Sequence, residues 1–466
     1  METFDVVVIG AGPGGYPAAI RAARLGAKTA LVEREAIGGT CLNWGCIPTK
    51  ALIAGAERLG ELRRAREFGI EAGEIRLDAP AMFRRKDAVV AQLQRGVKTL
   101  LTGHGVTVFA GEASFASRHE IAIRAADGDA ARIRAGRVVI ATGSTPAWPG
   151  SIPRGPRVVD SRGLLARPGW PKRMLVAGGG YIGCELAAAA AMLGGEVTIV
   201  EMLEDVLAGL DDDVRREVRR GMEKTLGIRI LTGRSLDGVQ AGPDGVRARA
   251  GDEALEADLL LVAVGRKPVT DGLALDRAGV VCGPTGHIDV DERCETSAAG
   301  IYAVGDVNGG PQLAHAATSQ GTMVAEAIAG GSRRVRETLV PGAIFTSPEV
   351  ATAGLTEAQA KKDGRAVRVG RFSFAALGRA LAGGHAEGFA KWVVDAGTDA
   401  VLGAQVVGPR ATDLIAEAVL AIRAELTARE IGRTIHAHPT YSEIWMEAAH
   451  AVHGECIHAP PPRRRE

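Results

Sequence analysis

An α/β architecture is what this sequence predicts, with two related parallel-sheet domains and a third, α+β domain at the C-terminal end. Three observations carry that prediction. A strand–glycine turn–helix–strand unit occurs twice, each copy is followed later by an apolar strand that stops at glycine, and after Gly330 the texture changes to alternating strand patterns.

Phe4-Asp5-Val6-Val7-Val8-Ile9 is a short run rich in β-branched residues and stopped by Gly10; such a run reads as a buried parallel strand. Residues 14–25 are Ala-rich with apolar positions at helical spacing, Gly26 stops them, and residues 28–33 form a second strand. Together they make one βαβ unit. Pro17 falls in the first helical turn, where a missing N–H costs little. The same syntax returns at Arg173-Met174-Leu175-Val176-Ala177, then Gly178, an Ala-rich helix through Leu193 and a strand over 197–201. Gly10 and Gly178 are 168 positions apart, and so are Glu33 and Glu201. A constant offset marks an internal repeat.

The later strands are Val138-Val139-Ile140-Ala141, running into Thr142-Gly143, and residues 259–264, running into Gly265. Residues 388–394 alternate like a strand, and residues 413–425 and 441–453 have helical patterning. The boundaries that follow are 1–148 for the first domain, 149–270 for the second, 271–340 for a return to the first, and 341–466 for the third.

Composition narrows the function class. The 466 residues suggest roughly three domains at about 150 residues each. Aromatics are only 4%, so the core must be mainly Ala, Val, Leu and Ile. A net charge of +1 argues against a nucleic-acid surface or a polybasic membrane module. The one marked charge run, Arg463-Arg464-Arg465 after three prolines, reads as a solvated tail. No stretch reaches the roughly 18 apolar residues that span a bilayer. The first strand begins almost at once, so neither a signal nor a transit peptide is expected, and a cytoplasmic address follows. Six cysteines are too few for a disulfide-stapled secreted scaffold.

Gly10-Ala11-Gly12-Pro13-Gly14-Gly15 supplies G-x-G-x-x-G between a strand and a helix. Gly10 makes the tight turn, Gly12 admits a pyrophosphate, and Gly15 lets helix and strand pack closely. The helix N-terminus adds free N–H groups for the phosphates. Glu33 falls 23 residues after Gly10, where a carboxylate accepts from a ribose. Gly178-Gly179-Gly180-Tyr181-Ile182-Gly183 repeats the pattern, with Glu201 again 23 residues on. Two matches in strand–turn–helix context, each with its acidic residue, point to two Rossmann-like dinucleotide-binding domains. Glu201 favours NAD over NADP, because a 2′-phosphate needs Arg or Lys nearby and the next residues are Met202-Leu203-Glu204-Asp205. Arg215, Arg216, Arg219 and Arg220 read as a solvated helix face.

Cys41 and Cys46 stand five apart in Gly38-Gly39-Thr40-Cys41-Leu42-Asn43-Trp44-Gly45-Cys46-Ile47-Pro48-Thr49-Lys50. A disulfide between them is feasible if the backbone is distorted there. A zinc site would need two further ligands, and no second close Cys/His pair of metal type accompanies them. No metal is expected. Placed beside a nucleotide loop, the pair reads as redox-active. The other cysteines, 184, 282, 294 and 456, read as structural, as do His436, His450 and His453.

This segment resembles the redox motif of the FAD-dependent pyridine nucleotide–disulfide oxidoreductases, the group that includes dihydrolipoamide dehydrogenase, glutathione reductase and mercuric reductase, and the resemblance runs through essentially the whole chain. It implies FAD on the first loop and NAD on the second, with Gly39, Thr40 and Lys50 at the flavin. Ala141-Thr142-Gly143-Ser144 resembles the family's second FAD motif. Gly300-Ile301-Tyr302-Ala303-Val304-Gly305-Asp306 resembles the third, where Asp306 would bind the ribityl chain. Gln312-Leu313-Ala314-His315 matches a flavin-contact segment, and the resemblance also implies cofactor contacts at Ala113, Glu185 and Gly265. Lys50, paired with Glu185, would favour negative charge on the reduced ring.

Phe345-Thr346-Ser347-Pro348-Glu349-Val350 resembles the start of a dimerisation domain, which implies a homodimer. His436-Ala437-His438-Pro439-Thr440-Tyr441-Ser442-Glu443 is similar to the dihydrolipoamide dehydrogenase signature. There the match to His438 is the catalytic base, paired with the match to Glu443, and it reaches the cysteines of the other subunit. Cys41 would exchange with substrate and Cys46 would face the flavin.

The same branch is favoured by residues 403–418 and by Glu201. The tail has only Cys456 where mercuric reductases carry a cysteine pair, and glutathione reductase would want basic residues for a 2′-phosphate. Trp44 stands where a smaller aliphatic residue is common, and Ala316 where a Lys is usual. The expected reaction is oxidation of dihydrolipoamide, free or borne on a 2-oxo acid dehydrogenase or glycine cleavage complex, with NAD as acceptor. Alternatives are reduction of another small disulfide or of mercuric ion, and a flavin-binding redox sensor without turnover.

Overall fold

A computed structural model describes residues 1–125, 127–128, 130–331 and 339–459, so the arginine run of the tail lies outside the described residues. The chain forms two compact units. One comprises Met1–Pro149, Asp160–Trp170 and Val264–Glu337; the other comprises Gly150–Val159, Pro171–Ala263 and Thr338–Glu466.

In the first unit the strand Glu2–Ile9 lies at the centre, parallel to Thr29–Glu33 on one side and to Ala130–Ile140 on the other. Val6, Val7, Val8 and Ile9 are all buried, as a strand covered on both faces requires. The helix between the first two strands, Gly15–Arg24, buries Gly15, Ala18, Ala19 and Ala22. That small-residue face lets the helix Ala314–Ile328 approach backbone to backbone: a Cβ on Gly321 would overlap the Gly14 carbonyl oxygen. Within the same sheet Ala130–Ile140 also pairs antiparallel with Glu120–Arg124 and parallel with Ile301–Ala303. Two helices that the sequence patterning did not reveal, Cys46–Arg63 and Ala79–Gly103, complete this unit. Asp78 caps the second by accepting from the Ala81 N–H at 2.8 Å.

In the second unit a five-stranded parallel sheet runs Arg229–Leu231, Glu196–Val200, Arg173–Ala177, Leu259–Val262, Val158–Val159. Its central order repeats that of the first unit, as the constant offset predicts. A five-stranded antiparallel sheet, Gly342–Ile344, Glu349–Gly354, Val401–Gly408, Phe389–Asp395 and Val367–Ser373, carries the helices Ala411–Arg423 and Glu443–Val452. Phe4 and Phe115 are buried in the otherwise aliphatic core of the first unit's sheet, and larger aromatics gather here: Trp392 and Trp445 pack at a tilt with centroids 4.7 Å apart, and both indoles donate to backbone carbonyls. Lys391, in the middle of the sheet, is 1% exposed and pairs with Asp211 at 2.8 Å and Asp213 at 2.7 Å. Among the described residues no helix is long and apolar enough to cross a membrane.

Candidate active site

The two glycine loops have the same local geometry. Gly10 has φ +101° and Gly178 φ +104°, turns that favour glycine. A Cβ on Gly15 would overlap the Gly10 carbonyl oxygen, and one on Gly183 that of Gly178. Glu33 accepts from the Ala11 N–H at 2.7 Å and the Glu35 N–H at 2.8 Å. Glu201 accepts from the Gly179 N–H at 2.6 Å and the Leu203 N–H at 2.8 Å. Each carboxylate is thus fixed at its loop and keeps lone pairs for ribose hydroxyls. Gly14 and Gly180 cap the following helices without a side chain, so the first-turn N–H groups face the loops, and Tyr181 and Ile182 open the second helix. Arg219 is paired with Asp205 and Glu223, Arg220 with Glu217 and Arg215 with Asp212. Their charge is already matched, and the second loop fits NAD.

The redox motif folds against the first loop. A Cβ on Gly39 would come within 2.6 Å of Gly12 Cα, so only glycine meets glycine here. Asn43 then ties the segment by donating to the carbonyls of Ile37 at 3.1 Å and Gly39 at 2.9 Å. Thr40 and Cys41 belong to the short helix Gly39–Trp44, and Cys46 begins the helix Cys46–Arg63. Gly45, at φ −139° and ψ −109°, breaks the two apart. The distortion that the five-residue spacing demands is therefore made at this glycine.

The Cys41 and Cys46 side chains face each other within hydrogen-bond reach. That bond, burial and the charge of Cys46 push the Cys41 thiol far up, while Lys50 pulls it down. Cys41 therefore needs a base before it can act as a nucleophile.

Asp306 accepts from the Ser144 hydroxyl, and Ser144 Oγ in turn accepts from Arg266 Nε at 2.7 Å. Arg266 also donates to the Ser144 carbonyl at 2.8 Å. Ser144 and Asp306 are marked by their sequence motifs, whereas Arg266, which follows Gly265 directly, is not. Burial works against its charge, and Asp306, then Cys46, work for it. Gly143 takes φ +69°, and Thr142 donates to the Val269 carbonyl at 2.7 Å. Leu313 caps the helix Ala314–Ile328, placing His315 in its first turn just after Gln312. Ala113 lies in the strand Glu112–Ser117, opposite Ile123. Gly265 accepts from the Ala147 N–H at 2.9 Å.

In the second unit Glu185 is buried and accepts from the Phe345 N–H at 3.0 Å. His438 Nδ1 lies 2.8 Å from Glu443 Oε1, and the other carboxylate oxygen accepts from the Thr440 N–H at 2.7 Å. Burial pushes the Glu443 carboxyl up, but Thr440 and His438 outweigh it and hold it below its usual range. An ionised partner fixes the proton on Nδ1 and leaves Nε2 as acceptor. The His438 side chain is 77% exposed. Among the described residues no cluster suits a metal ion.

A doubled dinucleotide fold, a thiol pair against its first loop and a histidine–carboxylate dyad define a flavin- and nucleotide-linked disulfide oxidoreductase. The chain belongs to the pyridine nucleotide-disulphide oxidoreductase family, matched over residues 4–321, with that family's dimerisation domain matched over 340–449. It is 42% identical over 467 residues to a dihydrolipoyl dehydrogenase of Chlamydia muridarum, covering 99% of this chain and 100% of the relative. A dihydrolipoyl dehydrogenase of Thermus scotoductus is 45% identical over 465 residues, covering 98% and 99%. Among solved structures, LpdA from Mycobacterium tuberculosis aligns with a TM-score of 0.90 at 29% identity, covering 96% of this chain and 99% of that one. FAD at the first loop and NAD at the second are the cofactors that these residues fit.

Proposed function

We propose that the chain oxidises dihydrolipoamide to lipoamide with NAD as acceptor, working as a homodimer. The observation that carries this reading is the thiol pair Cys41–Cys46, held across the Gly45 break against the first nucleotide loop.

In the resting enzyme the pair is a disulfide. A substrate thiolate attacks Cys41 and releases the Cys46 thiolate; the second substrate thiolate then displaces Cys41, giving lipoamide and a reduced pair. His438 of the partner subunit takes the substrate's proton, with Glu443 orienting the ring. Lys50, one turn beyond Cys46 on the same helix, favours the thiolates. Ser144, Asp306 and Arg266, bonded to one another, would hold the ribityl side of the flavin, and Glu33 and Glu201 would hold the two riboses. FAD held there would supply the two-electron link between the cysteine pair and NAD. The sum is dihydrolipoamide and NAD⁺ giving lipoamide, NADH and a proton. A lipoyl group borne on a 2-oxo acid dehydrogenase or glycine cleavage complex is the natural form of the substrate.

One feature favours a second reading, a different small disulfide. The Trp44 ring lies under the Arg162 guanidinium at 4.1 Å, and Arg162 pairs with Glu35, so the redox motif is edged by a bulky, charged stack. The test is NADH production by the purified yellow protein given dihydrolipoamide, beside NADPH with glutathione disulfide. Turnover only in the first assay, abolished by Cys41→Ser, supports the lipoamide reading. Turnover only in the second overturns it.

A further inference from the structure

His436 lies two residues ahead of His438, on the segment that leaves the helix Ala428–Arg433. Its side chain is 6% exposed, in contrast to that of His438. Nδ1 stands 2.9 Å from the carbonyl oxygen of Thr434, the residue that closes that helix. Nε2 stands 2.7 Å from Oε1 of Glu417, on the helix Ala411–Arg423. A carbonyl oxygen only accepts, so Nδ1 must carry a proton. The Glu417 side chain is 38% exposed; a carboxylate in contact with water also accepts, so Nε2 carries the second proton. A histidine that donates from both nitrogens is an imidazolium. Its place at a helix C-terminus, beside carbonyls without helical partners, suits a cation.

We propose that His436 is a positioning residue for the reaction, a standing imidazolium that clamps the His438 segment onto the helix Ala411–Arg423 and keeps a positive charge beside the His438–Glu443 pair. This rests on the reading of His438 as the base. Among the described residues, the charges that act on His436 are those of Glu417, to which it is bonded, and Glu443. The bond to Glu417 foremost raises its pKa, burial opposes, and the Thr434 carbonyl and the charges of both glutamates add to the rise. In return the imidazolium helps to hold Glu443 ionised. Two effects follow for catalysis. The clamp fixes where His438 points, and the cation resists a second positive charge on the dyad, so the base releases its proton more readily after each exchange.

The test compares the FAD-loaded, full-length dimer with its His436→Gln and Glu417→Gln variants, with His438→Gln as control. Gln at 436 still donates to Glu417 but carries no charge. We expect an unchanged flavin spectrum, kcat/KM for dihydrolipoamide lower by about threefold to tenfold at pH 7, and an acid limb moved up by about half a pH unit. Glu417→Gln should bring the His436 titration down toward the ordinary histidine range. In the wild-type protein the His436 ring resonance should titrate above the ordinary histidine range. A lower thermal midpoint with the acid limb unmoved would make His436 a purely structural residue and overturn the proposal, as would a ring that titrates at or below the ordinary range. Full activity of His438→Gln would instead remove the base assignment itself, an outcome distinct from silence at position 436.

Discussion

A methyl group at position 45 would lie 2.9 Å from the Thr40 carbonyl oxygen, in the break that lets Cys41 and Cys46 face each other. Gly45→Ala should therefore leave the fold and flavin absorbance intact while displacing one sulfur. An ångström of misplacement at a reacting centre costs on the order of 100-fold, and kcat of the variant with dihydrolipoamide should fall by about 10- to 100-fold. Glu201→Ala removes the carboxylate fixed on the second loop and should raise KM for NAD by about tenfold. It should not create use of NADP, because Arg215, Arg219 and Arg220 remain committed to neighbouring carboxylates. That Glu33 and Glu201 stand at their glycine loops, and Cys41 beside Cys46, was legible in the sequence because local spacing decides it. Arg266 and His436 were not, since their partners lie 122 and 19 positions away.

Elements with strong periodicity were equally legible: both βαβ runs and the last helix, Glu443–Val452, fall where the patterning puts them. The helix Cys46–Arg63 was not, since its buried face includes Pro48, Thr49 and Ala56 beside Leu52, Ile53 and Leu59 and so hides the apolar repeat. Ala79–Gly103 buries only Phe83, Lys86, Val97 and Leu101 over 25 residues. Phe389–Asp395 read correctly as a strand, yet Lys391 gave no hint of facing inward. Its ammonium joins Asp211 and Asp213, and Asp211 also accepts from the Glu357 and Ala358 N–H groups, so one buried cluster ties the antiparallel sheet to the segment after the NAD loop. Lys391→Met leaves that carboxylate without its counter-ion and should cost about 3 kcal/mol, read as a lower thermal midpoint at pH 7. Burial pushes the Asp211 carboxyl up, but Lys391 and the two N–H groups hold it below its usual value of 3.8. A depressed carboxyl contributes stability above its unfolded value and loses it as pH falls through the folded one. The gap between wild type and variant should accordingly narrow below about pH 3.8.

The repeat at 168 positions makes two dinucleotide folds readable from spacing alone. Spacing does not reveal that each sheet takes a strand, Ile301–Ala303 or Val158–Val159, from outside its own βαβ run. How copies of the chain cooperate lies further from the sequence, because one subunit holds both halves of the chemistry and spacing does not say which halves meet. If Cys41 of one subunit works with His438 of the other, two dead enzymes can repair each other. A dimer of one Cys41→Ser and one His438→Gln subunit has one site lacking both groups and one site with both intact. Dissociating equal amounts of the two variant homodimers and letting them reassociate at random makes half of the dimers mixed, each with one of two sites working. NADH production should then recover to about a quarter of the wild-type rate. If thiol and base belonged to the same chain, every site in the mixed dimer would lack one of them. The mixture would then stay as inactive as its parents, and the shared site would have to be given up.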